Sequence, residues 1–102
     1  MASVPVPGVA VPPPGAAVRV STQGREIAVF NVAGQLYAID AKCTHVGGPL
    51  DKGAVQEFVV NCPWHGSHFD VRTGEVRRGP AIKPVRSYPV RVEGGQLVLE
   101  IA

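Results

Sequence analysis

Short apolar runs bounded by turn residues mark this chain as a succession of strands, and no stretch of useful length follows a helical period. Strand signals begin at Val18. Glu26 to Val32 (EIAVFNV) and Gln35 to Ala41 (QLYAIDA) form a predicted β-hairpin turned through Ala33-Gly34, where glycine supplies positive φ. Tyr37 and Ile39 alternate with smaller residues, which predicts one inward face. Val55 to Asn61 reads as one further strand, and His68 to Val71 as another. Asp70 to Gly74 has turn chemistry, an aspartate to hydrogen-bond backbone and a glycine for the left-handed position, so Glu75 to Arg78 returns. Tyr88 to Val92 and Leu97 to Ile101 make a last hairpin around Gly94-Gly95. The fold class is all-β: short antiparallel strands in a small sandwich or barrel.

Composition narrows the picture. The chain has 102 residues, room for one small domain and not two. The division read from composition is a Pro-rich N-terminal segment at 1–15, extended or turned around Pro12-Pro13-Pro14-Gly15, and one domain at 16–102. The first segment carries five prolines and no basic residue, so it is not a secretory signal. No apolar run approaches the roughly 18 residues of a membrane span, which predicts no membrane partner. A net charge of +2 with both signs scattered argues against a nucleic-acid binder. The cytoplasm is the expected location.

Chemistry is concentrated between Cys43 and Asp70. Cys43-Thr44-His45 and Cys62-Pro63-Trp64-His65 each pair a thiol with an imidazole, and these are the chain's two cysteines. Zinc accepts two thiolates and two imidazoles, but a C-x-H is tighter than the usual knuckle, and the familiar finger places both cysteines first. One sulfur and one nitrogen from each loop suit two adjacent metals, the sulfurs on one and the nitrogens on the other. That is the ligand set of a [2Fe–2S] centre with two Cys on one iron and two His on its neighbour.

Cys43-Thr44-His45-Val46-Gly47-Gly48 and Cys62-Pro63-Trp64-His65-Gly66-Ser67 resemble the two cluster-binding loops of Rieske proteins. The resemblance covers the chain from about Val18 onward. It implies a β base carrying a cluster-binding subdomain of two hairpin loops, and one cluster per chain on Cys43, His45, Cys62 and His65. Oxidised, a cluster so ligated has no net charge where the four-cysteine kind is a dianion, so it accepts an electron more readily. The resemblance also implies that the histidines form an exposed tip where the electron enters and leaves. Gly47, Gly48 and Gly66 would let backbone approach the cluster. Pro63 stiffens the second loop, and Gly79-Pro80-Ala81 resembles the family's covering proline loop. Trp64 shields the cluster, belongs to a docking patch, or is a packed aromatic. His68 is read as a strand histidine without a redox role. Arg77, Arg78, Lys83 and Arg86 are a solvated basic face or one that steers an acidic partner.

Gly48 and Trp64 stand where respiratory-complex members have a disulfide. The chain thus resembles the free-standing ferredoxins that take electrons from an NAD(P)H-dependent flavoprotein reductase and pass them to a terminal Rieske oxygenase, carrying electrons without substrate turnover. Two alternatives are a small subunit of assimilatory nitrite reductase and a zinc-stabilised interaction module. High-potential members have serine and tyrosine hydroxyls in an H-G-S-x-Y run, where this chain has His65-Gly66-Ser67-His68-Phe69. Ser67 is present but Phe69 has no hydroxyl, so the midpoint is expected below about +100 mV in a family range of about −150 to +300 mV. Removing the Ser67 hydroxyl should lower it, and Phe69→Tyr should raise it.

Overall fold

The computed structural model describes residues 2–44, 47–64 and 66–101. Their strands make three antiparallel sheets. The middle one has β2 (Ala17–Thr22), β3 (Arg25–Val32), β4 (Gln35–Asp40) and β9 (Ser87–Tyr88) in sequence order. A second sheet places β11 (Gln96–Ile101) between β1 (Ala2–Val6) and β10 (Val90–Glu93). The third is a meander of β5 (Ala54–Gln56), β6 (Val59–Asn61), β7 (His68–Asp70) and β8 (Val76–Arg78). A 3₁₀ turn at Leu50–Lys52 follows the loop that begins at Cys43.

The middle sheet separates two cores, and β3 shows how. Successive side chains of a strand point to opposite faces. Ile27 and Val29 pack with Val6, Val20, Leu97 and Leu99. Their neighbours Ala28 and Phe30 pack with Leu50, Val60, Phe69 and both cysteines. Ala38 and Ile39 on β4 divide in the same way. The expectation of one inward face for this hairpin is therefore corrected. Both faces are covered, and the small Ala38 is buried in the core with Val6 and Leu97 rather than facing water.

Two-residue turns fix the register. Val32 pairs with Gln35, and Ala33 and Gly34 between them both have positive φ, at 53° and 95°, a type I′ geometry that matches the strand twist. Gly94-Gly95 closes the β10–β11 hairpin likewise. Ala33 carries a Cβ in the left-handed region, which costs about 1 kcal/mol. Asparagine tolerates that region better, so Ala33→Asn should raise stability by about 0.5–1 kcal/mol in denaturant titrations. An unchanged or lower midpoint would show that the turn is not strained there.

Three expectations need correction. Val55 to Asn61 is not one strand. It is the β5–β6 hairpin, with Gln56 paired to Val59 and the chain reversing at Glu57-Phe58. Glu57 takes φ 57° there without glycine or proline to signal it, and the Phe58 ring is held by the Arg72 guanidinium at 4.2 Å and by the edge of Tyr37. Tyr88 does not begin the last hairpin. It lies on β9 against Ala38, and Pro89 separates it from β10. No strand was expected before Val18, yet Ala2–Val6 pairs along β11 from Ala2↔Ile101 to Val6↔Leu97. The prolines allow this because β1 is an edge strand. Asn31 then ties down the rest of the segment, its side-chain amide donating to the Pro12 carbonyl at 2.9 Å and its backbone carbonyl accepting from Gly15.

Candidate metal centre

Cys43 follows the end of β4 and Cys62 leaves the end of β6, so each cysteine loop hangs from a strand packed on the second core. The loops close alike. The Cys43 N–H donates to the Gly48 carbonyl at 2.9 Å, and the Cys62 N–H donates to the Ser67 carbonyl at 2.7 Å. Each runs six residues from the cysteine to the accepting carbonyl and holds a left-handed glycine four positions after the cysteine, Gly47 at φ 75° and Gly66 at φ 76°. The paired loops thus present equivalent cysteines from two different hairpins. Gly48 is a close approach: a Cβ there would lie 2.6 Å from the Cys62 Sγ and 3.2 Å from the Trp64 Cβ.

Both thiols are inside, Cys43 at 3% exposure and Cys62 at 1%, and neither is in a disulfide. Burial pushes the Cys62 thiol above its ordinary pKa. The backbone N–H of Trp64 partly opposes this, and the hydrogen-bonded Cys43 thiol adds to it. The buried Cys62 thiol therefore favours its protonated form until a cation compensates the charge. That fits a centre held by two thiolates on one iron. His45 and His65, the expected nitrogen ligands, lie outside the described residues.

The other expected residues divide. Ser67 is wholly buried, and its Oγ accepts the Ala81 N–H at 3.0 Å. Phe69 is wholly buried in the same core as the cysteines. Pro63 is exposed and Trp64 is half exposed. Gly79 and Pro80 are exposed and joined by a cis bond, whereas Ala81 turns inward at 3%. His68 is half-buried on β7, opposite Asn61.

Two features escaped the sequence reading. Arg77 is engaged in the fold: with Arg72 it holds Asp70, whose carboxylate is 1% exposed, at 2.7 and 2.9 Å. The Arg72 and Arg77 guanidinium groups hold the Asp70 carboxyl well below the usual carboxylate range against the opposing effect of burial. A buried-looking aspartate followed by arginines two and seven residues on could have signalled it, but Asp70 also reads as an ordinary turn residue. The second is Thr44, whose hydroxyl donates to the Lys83 carbonyl at 2.6 Å.

Paired loops, buried thiols and a β base define an iron–sulfur electron-transfer domain. The family model for the Rieske [2Fe–2S] domain matches residues 4–89, and the chain belongs to that family. It is an electron-transfer protein with a Rieske-type [2Fe–2S] cluster, not a catalytic enzyme. It is 37% identical over 91 residues to the biphenyl dioxygenase ferredoxin subunit of Pseudomonas sp. strain KKS102, covering 88% of this chain and 84% of that one. Its fold is similar to the ferredoxin of carbazole 1,9a-dioxygenase from Nocardioides aromaticivorans, with TM-score 0.85, 32% identity, and coverage of 94% and 96%. It also resembles a chain in the complex of reduced oxygenase and oxidised ferredoxin of carbazole 1,9a-dioxygenase, with TM-score 0.80, 34% identity, and coverage of 86% and 82%. No helix among the described residues is long and apolar enough to cross a membrane.

Proposed function

We propose that this protein carries single electrons in the cytoplasm from an NAD(P)H-dependent flavin reductase to a terminal ring-hydroxylating dioxygenase, with its cluster on Cys43, Cys62, His45 and His65. The observation that carries this reading is the pair of buried cysteines delivered into one core by two loops closed in the same way. The cluster supplies one-electron chemistry; the residues around it hold it and keep water away. Leu50, Phe69 and Ala81 share one apolar core with the two cysteines. Pro63, Gly79 and Pro80 shape the covering loops. Ser67 accepts from Ala81 and keeps its own hydroxyl proton, which can serve a cluster sulfur and stabilise the reduced state. The named relatives are ferredoxins of dioxygenase systems, and this supports the same partner class here.

The docking face is drawn from exposed apolar side chains beside the centre. Trp64 is 51% exposed and Ile82, one residue beyond buried Ala81, is 88% exposed. Exposed Arg78, Lys83 and Arg86 lie on or next to the same covering loop and suit a partner with an acidic rim. One face then serves both partners by turns, through small transient contacts. With the flavin reductase and terminal oxygenase purified, redox-inactive oxygenase should slow reduction of this protein by the reductase competitively, and the three components together should hydroxylate an aromatic ring. A stable complex holding both partners at once, or reconstitution of nitrite reduction instead, would overturn the reading.

A further inference from the structure

Between β8 and the return at Val85 the covering loop has no strand pairing, and two hydroxyls from the ligand loops hold it among the described residues. They act in opposite senses. Ser67 accepts the Ala81 N–H at 3.0 Å and retains its proton. Thr44 donates its proton to the Lys83 carbonyl at 2.6 Å. A hydroxyl has one proton, so Thr44 has none left for a cluster sulfur, whereas Ser67 does. Ala81 and Val85, both buried in the core with the two cysteines, anchor the loop on either side. Between them its outer half, Ile82 to Pro84, is exposed, with Ile82 at 88%.

We infer that Thr44 is a positioning residue, the latch that holds the outer half of the covering loop against the Cys43 loop and slows loss of the cluster, without setting its potential. The inference rests on the reading that Cys43, His45, Cys62 and His65 hold the cluster. A hydrogen bond at an exposed site contributes toward the lower end of the usual 0.5–1.5 kcal/mol, so its removal should speed opening roughly two- to fivefold.

The test follows the cluster's visible absorbance in oxidised protein challenged with an iron chelator. Thr44→Val should release iron roughly two- to fivefold faster than wild type, and Thr44→Ser, which keeps the hydroxyl, should match wild type. The reduction equilibrium of Thr44→Val should stay within about twofold of wild type, whereas Ser67→Ala should shift it several-fold toward the oxidised form. Unchanged release from Thr44→Val overturns the latch, and so does a shift in equilibrium as large as that of Ser67→Ala. If Thr44→Val is isolated without iron, Thr44→Ser decides: normal retention supports the bond, and rapid loss shows that the methyl group was the holding contact. Wild type without a [2Fe–2S] cluster would instead refute the ligand assignment, separately from the latch.

Discussion

Cys62→Ser should yield a colourless protein that melts roughly 15 °C below wild type. The loss of colour follows from removing one of two thiolates from a site whose other walls are apolar. Serine's hydroxyl is not ionised near neutral pH and is a poor ligand for iron. The loss of stability has a separate origin. In the proposed ligand assignment the cluster joins the loop after β4 to the loop after β6, as a disulfide would. Closing the roughly 20 residues from Cys43 to Cys62 is worth about 3 kcal/mol in the chain-entropy account of such links. For a domain of this size each kcal/mol moves the melting point about 4–8 °C, which gives the expected drop. Calorimetry of the variant beside wild type checks it. An iron-free Cys62→Ser that melts with the wild type would mean that the β layers, not the cluster, hold the ligand loops together.

Asp70→Asn should destabilise the fold by about 2–3 kcal/mol at neutral pH, the loss expected when a buried carboxylate gives up charged hydrogen bonds. Its partners Arg72 and Arg77 are 45% and 47% exposed, so water solvates them once the carboxylate is neutral, and the larger penalty of a fully buried pair does not apply. The pH dependence has a definite sign. The folded Asp70 carboxyl is held below its ordinary range, so the unfolded chain binds the proton more readily. The stabilisation is complete above the unfolded pKa of about 3.9 and disappears as pH falls through the lower folded value. Urea midpoints for wild type and Asp70→Asn should therefore differ by a constant amount from pH 7 to about pH 5 and begin to converge only below about pH 4. A difference that persists at the lowest pH would place the effect in packing, not charge.

Strands were legible wherever a local device announces them. Ala33-Gly34, Gly94-Gly95 and the Asp70 to Gly74 turn were read correctly because glycine and aspartate state their backbone geometry in the sequence. The β5–β6 turn was not, because Glu57 adopts its positive φ under tertiary constraint, with Arg72 and Tyr37 fixing the adjacent Phe58. β1 was missed because its prolines argue against a strand, and only the topology reveals that it lies at an edge.

The cysteine pair was evident from spacing, and the structure adds that both thiols enter one apolar core. A loop was legible at Gly79-Pro80, but its attachments were not. Thr44 and Lys83 are 39 residues apart in sequence, and no local pattern encodes a hydroxyl-to-carbonyl bond over that distance. Arg77 was misleading in the opposite way. It reads as part of a basic run, yet it serves a buried aspartate, while Arg78, Lys83 and Arg86 remain exposed.

The central claim is that two thiolates bind one iron and two imidazoles the other. Electron paramagnetic resonance of the dithionite-reduced protein, recorded on a sample assayed for metal and acid-labile sulfide, tests it most directly. The account predicts about two iron and two sulfide per chain, and a reduced spectrum with the low average g-value that nitrogen ligation produces. One zinc per chain with no signal, or the spectrum of a cluster ligated by sulfur alone, would contradict it.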